Sequence, residues 1–86
     1  MMNPEQAFQL VRETLVARLA IEPDDIELGA SMRDDLGIDS MDALEFASAI
    51  ESEAGITISD ETLWGLRTVQ DTVDLVVGRH SEDGEA

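Results

Sequence analysis

Asp34-Asp35-Leu36-Gly37-Ile38-Asp39-Ser40-Met41-Asp42-Ala43-Leu44 runs from a glycine-containing loop into the start of a helix and sets a single serine at the joint. Acids at Asp34, Asp35, Asp39 and Asp42 surround that serine, and Leu36, Ile38, Met41 and Leu44 are apolar anchors on either side. The arrangement is a presented hydroxyl in an acidic collar. Asp and Ser are also ordinary N-cap residues, and an acid such as Asp42 suits any first helical turn. Asp39 and Ser40 alone therefore indicate only a helix start, and the argument rests on the run as a whole.

On the N-terminal side, Asn3-Pro4-Glu5-Gln6 supplies a cap, a proline suited to the first helical position and a glutamine three residues after the cap. This predicts a helix from Pro4 to about Ala20, with Phe8, Val11, Leu15 and Leu19, joined by Leu10 and Val16, as its apolar stripe. Pro23-Asp24-Asp25 ends the helical period, and a long loop, with a short helical turn near Pro23 as an alternative, leads to Asp39. Ile26, Leu28, Met32 and Leu36 are expected to peg that loop to the core. Long loops in compact domains are often functional.

On the C-terminal side, Leu44, Phe46, Ala47, Ile50 and Ala54 fall on one face of a second helix that begins at Ser40, and Gly55 offers a stop. Ile56-Thr57-Ile58 alternates like a strand, but with no candidate partner it reads as an extended connector. Ser59-Asp60-Glu61 opens a short third helix through about Leu66. Thr68-Val69-Gln70-Asp71 has a capping-box pattern, and Val69, Val73, Val76 and Val77 carry a fourth helix to Gly78. The expected fold is all-α, a four-helix bundle with a short third helix and a long first loop, in one domain over residues 1–79. Residues 80–86 are polar and acidic and are expected to form a disordered tail.

The run Asp35-Leu36-Gly37-Ile38-Asp39-Ser40-Met41 resembles the attachment motif of the acyl carrier proteins, and the resemblance continues through Glu45, Glu51-Ser52-Glu53, Ile56-Thr57-Ile58 and Thr68-Val69-Gln70. It implies a 4′-phosphopantetheine arm, taken from coenzyme A, on Ser40, with Asp39 as its motif neighbour. It further implies that Met41, Asp42, Leu44, Glu45, Ser48 and Glu51 meet partner enzymes. Phe46, Ile50, Ile58, Leu63, Leu66 and Val69 correspond to the family's acyl-chain cleft. The implied partners are a phosphopantetheinyl transferase and acyl-loading, condensing and tailoring enzymes with basic docking surfaces. Ala54-Gly55, Ser59, Trp64 and the absence of lysine depart from the common fatty-acid pattern and turn the expectation toward polyketide or other specialised assembly.

Composition agrees with a carrier and narrows the rivals. Eighty-six residues allow one small domain, and a 43% apolar content with three aromatics, Phe8, Phe46 and Trp64, suits an aliphatic helical core. A formal charge of −15, from twenty acids against five arginines, opposes binding to nucleic acid and attracts locally cationic partners. There is no apolar run long enough to span a bilayer and no signal-peptide pattern at the start, so a cytoplasmic monomer is expected. With no cysteine, any thioester chemistry requires a thiol brought on a prosthetic group.

Catalysis is not expected: the single histidine, His80, lies in the tail, and Ser40 has no evident base. No metal site is expected either, because the acids of the central run lack the alternate spacing, the central glycine and the final glutamate of a calcium loop. Two rivals share the same fold, an unmodified acidic docking module and a standalone peptidyl carrier. Modification of Ser40 separates the first; Gly37-Ile38 before Asp39-Ser40, in place of a glycine pair, argues against the second.

Overall fold

A computed structural model describes the backbone of residues 2–85 and the side chains of residues 2–79. Its α-helices are α1 (Pro4–Leu19), α2 (Ser40–Ala54), α3 (Asp60–Gly65) and α4 (Val69–Glu85), with a 3₁₀ turn at Pro23–Asp25. Among the described residues there is no strand, only an isolated antiparallel bridge between Ser31 and Thr68. The all-α architecture expected from the sequence is the one observed.

The helix boundaries follow local chemistry. Asn3 accepts the Gln6 N–H at 2.8 Å while the Gln6 side chain takes the Asn3 N–H at 3.1 Å, so the expected capping box starts α1. Ala20 closes that helix in a left-handed conformation with φ 55°. Gly55 closes α2 at φ 68°, where a side chain would be strained and a glycine is not. Ser59 caps α3 by accepting the Thr62 N–H.

α1 packs against both α2 and α4, and Val11, Leu15, Phe46, Ile50, Val73 and Val76 fill the space between them. Among the described residues two polar side chains are buried and both are satisfied: the Thr14 hydroxyl donates to the Leu10 carbonyl and the Thr72 hydroxyl to the Met32 sulfur. In the expected α1 stripe Val11 and Leu15 are buried, Phe8, Leu10 and Leu19 are half-buried, and Val16 is exposed. Ala7 and Thr14 complete the buried face.

The loop between α1 and α2 is pegged by Ile26, Met32 and Leu36, as expected, and also by Ala30 and Ile38. Leu28 is a correction: it is 43% exposed, and it holds the loop through its carbonyl, which accepts the Gln70 N–H at 2.9 Å. Leu44 is a second correction, 47% exposed rather than on the core face of α2, because that face is set by Phe46, Ala47 and Ile50. The connector Ile56-Thr57-Ile58 alternates as expected, with both isoleucines buried and the threonine exposed.

α4 does not stop at Gly78. That glycine keeps a helical backbone and the helix runs to Glu85. An interior glycine costs a helix only about 1 kcal/mol relative to alanine, too little to end it by itself. Over residues 80–85, where the sequence leads one to expect a disordered tail, the described backbone is helical; the side chains there, and Ala86 entirely, lie outside the described residues.

Candidate attachment site

Ser40 is the first residue of α2, and its side chain is exposed. The capping work belongs to Asp39. Its Oδ1 accepts the Asp42 N–H at 2.8 Å, while Asp42 Oδ2 accepts the Asp39 N–H at 3.4 Å. This reciprocal pair employs two first-turn amides and leaves the Ser40 hydroxyl outside the cap. The sequence alone allowed Ser40 to be part of the cap; the geometry divides the two roles between neighbours.

The approach to Ser40 is built by the backbone. Ser31 accepts the Asp35 and Leu36 N–H groups through its carbonyl and the Asp34 N–H through its hydroxyl, and Asp35 Oδ2 accepts the Ser31 N–H at 2.7 Å. Gly37 then turns the chain at φ 68°, in the left-handed region that glycine enters without cost from a Cβ. Ile38 returns its N–H to the Met32 carbonyl at 2.9 Å and buries its side chain. Three of the four collar acids, Asp35, Asp39 and Asp42, are thus also structural acceptors.

Beside Ser40 lies an open groove of about 770 Å³, lined by Ser40 and Ala43 from α2, Leu63 and Trp64 from α3, Leu66 after it, and Met32 from the loop. Trp64 is 54% exposed, so this large aromatic packs only partly and contributes the rest of its face to the groove. Of the six residues assigned to a cleft by resemblance, Leu63 and Leu66 line the groove. Phe46, Ile50, Ile58 and Val69 are buried in the core behind it. Arg33 and Arg67 also line it, and no sequence pattern singled them out.

The residues assigned to partner contact form two groups. Met41, at 78% exposure, stands with exposed Leu44, Glu45 and Ser48 on the outside of α2. Asp42 and Glu51 are half-buried, and Glu51 is occupied: its Oε2 accepts the Ile58 N–H at 2.8 Å, tying α2 to the connector that leads to α3. Its carboxylate serves the fold before it serves any partner.

The far edge of the groove is anchored by Asp71. Its Oδ2 accepts the N–H groups of Arg67 at 3.0 Å and Thr68 at 3.1 Å, while Thr68 Oγ1 accepts the Asp71 N–H. The Arg67 and Thr68 amide bonds hold the Asp71 carboxyl below its ordinary pKa, against a smaller opposing effect of burial; the Thr68 hydroxyl and the Arg67 charge assist. Among the described residues, no cluster of three histidines, cysteines or acids is arranged to hold a metal ion.

Residues 9–76 match the family model described as the phosphopantetheine attachment site. The chain belongs to the acyl carrier protein family. It is 37% identical over 98% of its length to an acyl carrier protein of Petrotoga mobilis, 99% of which is covered. It is also 33% identical to that of Saccharopolyspora erythraea, with 88% of this chain and 80% of that one aligned. The crystal structure of an acyl carrier protein from Thermotoga maritima shares the fold, with a TM-score of 0.83, 93% of each chain covered and 21% identity.

Acyl carrier proteins are carriers and not catalysts, and this chain is read as one on the same grounds. Its prosthetic group is 4′-phosphopantetheine, which supplies the thiol that a cysteine-free chain lacks. Family membership entails dealings with a phosphopantetheinyl transferase and with biosynthetic enzymes. No helix among the described residues is long and apolar enough to cross a membrane.

Proposed function

We propose that Ser40 is the residue that carries the phosphopantetheine arm, and that the carrier serves polyketide or other specialised assembly rather than bulk fatty-acid synthesis. The observation that carries the first part is the exposed Ser40 hydroxyl, outside the Asp39–Asp42 cap and opening on the groove. A group attached there has solvent on one side and an apolar wall, Leu63 and Leu66, on the other. In the transfer, Ser40 Oγ bonds to the pantetheine-bearing phosphorus of coenzyme A. The pyrophosphate P–O bond breaks, 3′,5′-adenosine bisphosphate leaves, and the serine proton passes to a base on the transferase.

Asp39 then acts by fixing the start of α2, and so the position of Ser40, through its cap. Met41, Asp42, Leu44, Glu45 and Ser48 are the contacts offered to partner enzymes. An exposed methionine and leucine among acids suit a partner surface of apolar spots framed by arginine or lysine. Glu51 contributes mainly by holding the connector. An acyl chain enters past Leu63 and Leu66, and reaching Phe46, Ile50, Ile58 or Val69 requires the core to part. The preference for specialised assembly is supported by Trp64 in the groove, Ser59 as the α3 cap, Ala54-Gly55 at the end of α2 and the absence of lysine.

Intact-protein mass spectrometry after incubation with coenzyme A, magnesium and a broad-specificity phosphopantetheinyl transferase tests the attachment. The expected result is one added phosphopantetheinyl group on the native chain and none on Ser40→Ala, whose helical circular dichroism stays native because the cap belongs to Asp39. No gain on a folded native chain, with a control carrier modified in parallel, points to an unmodified docking module. Gain on Ser40→Ala would move the attachment to another residue.

A further inference from the structure

Two of the five arginines in a chain of net charge −15, Arg33 and Arg67, line the groove that Ser40 opens on. Their backbones are brought together by tertiary structure. The Met32 N–H donates to the Arg67 carbonyl at 2.9 Å, and Ser31 bridges to Thr68 beside it. The loop carrying Arg33 and the segment carrying Arg67 are therefore stitched side by side. The Arg67 backbone N–H is held by Asp71 at 3.0 Å, which anchors the residue; Arg67 is exposed, and its charge also acts on the Asp71 carboxylate.

Asp34 and Asp39 line the same groove, and Asp39 Oδ1 is already committed to the Asp42 N–H. Among the residues that line the groove two arginines stand against two aspartates, with Asp71 at its edge beside Arg67, so cations are concentrated here on a molecule that is otherwise strongly acidic. An anion brought there meets less repulsion than it does elsewhere on the surface. Guanidinium groups are also suited to this task, because their planar forks match the oxygens of phosphate and carboxylate.

We propose that Arg33 and Arg67 together hold an anionic group of the arm in the groove, either its phosphodiester or a carboxylate on its load. The proposal rests on Ser40 as the attachment residue. It gives the two arginines a binding role that the acidic docking face does not have. It also predicts that the arm lies against Trp64 rather than free in solvent.

The test loads the native chain, Arg33→Gln/Arg67→Gln and Arg33→Lys/Arg67→Lys with pantetheine, butyryl-pantetheine and succinyl-pantetheine from the matching coenzyme A thioesters. Mass spectrometry checks each load, and circular dichroism checks each fold. The readouts are the ³¹P resonance of the phosphodiester and the fluorescence of Trp64, the single tryptophan. If the phosphodiester is held, its resonance in the native chain is displaced from its position in urea, whatever the load. It returns toward that position in the double glutamine variant and stays partly displaced in the double lysine variant.

If a carboxylate is held, the ³¹P resonance is the same in native and glutamine chains. The succinyl load then changes Trp64 fluorescence relative to butyryl in the native chain only. Either effect weakens as salt is added. Identical ³¹P and Trp64 signals in the native and glutamine chains for all three loads overturn the proposal. Absence of any mass gain is a different failure, that of Ser40 as the attachment residue, and takes the proposal down with it.

Discussion

Where α1 meets α2 and α4, the chain is held by aliphatic side chains and one phenylalanine, all but removed from water. Around Ser40 it is held by other means: carbonyls and carboxylates that catch backbone N–H groups, at Ser31, Asp35, Asp39, Glu51 and Asp71, with a few apolar pegs beneath. The first region gains its stability from burial, which is large and non-directional. The second gains position from hydrogen bonds, each of which nets only about 1 kcal/mol but fixes a direction. A carrier requires both, a body that stays folded while its groove half presents a residue and changes its contents.

Phe46 on α2 and Trp64 on α3 put that comparison to its hardest test. Phe46, 1% exposed, is expected to cost about 3–5 kcal/mol when replaced by alanine, a large share of a small domain's total stability of roughly 5 kcal/mol or somewhat more. Trp64→Ala, on the groove, is expected to cost about 1 kcal/mol or less, as half-exposed side chains do. Urea denaturation of both variants measures the difference. Comparable losses would mean that the groove half is part of the core and not an attachment to it.

Asp39→Ala sharpens the comparison at an intermediate size. Loss of an N-cap is expected to lower stability by about 1 kcal/mol, while Ser40→Ala lowers it far less, since the serine hydroxyl lies outside the cap. Thermal melts of the two variants check this order. The reverse order would return the capping role to Ser40.

The smallest expected effect is electrostatic. The Asp71 carboxyl titrates below its ordinary value, so its stabilising contribution is complete above the unfolded carboxylate pKa of about 3.9 and is lost as pH falls through the folded value. Asp71→Asn is therefore expected to be less stable than the native chain at neutral pH, with the gap closing on acidification. Urea midpoints across that range test it. A gap that widened in acid would contradict the assigned sign.

Much of the fold was legible because it is written in local code. Asn3 with Gln6, Ser59, and Thr68 with Asp71 are capping signals that act within four residues, and each begins a helix where it was expected. The misreadings have one physical source. Leu28 and Leu44 are apolar at positions whose facing depends on what packs opposite, and no local pattern reports that. Gly78 reads locally as a helix end, but a glycine ends a helix only when the chain beyond it turns away.

The candidate site divides along the same line. Asp35-Leu36-Gly37-Ile38-Asp39-Ser40-Met41 is contiguous, so the sequence by itself determined the family, the nomination of Ser40, the start of α2 and the acidic surroundings. Arg33 and Arg67 are separated along the chain by the whole of α2 and α3, and only the pairing of Met32 with Arg67 and of Ser31 with Thr68 brings them to one groove. The occupation of Glu51 by the Ile58 N–H, and the division of cap from free hydroxyl between Asp39 and Ser40, were likewise decided by tertiary structure. Local signals act through neighbouring backbone and can be read in order, whereas a groove is a relation between distant segments and exists only once the core has set them side by side.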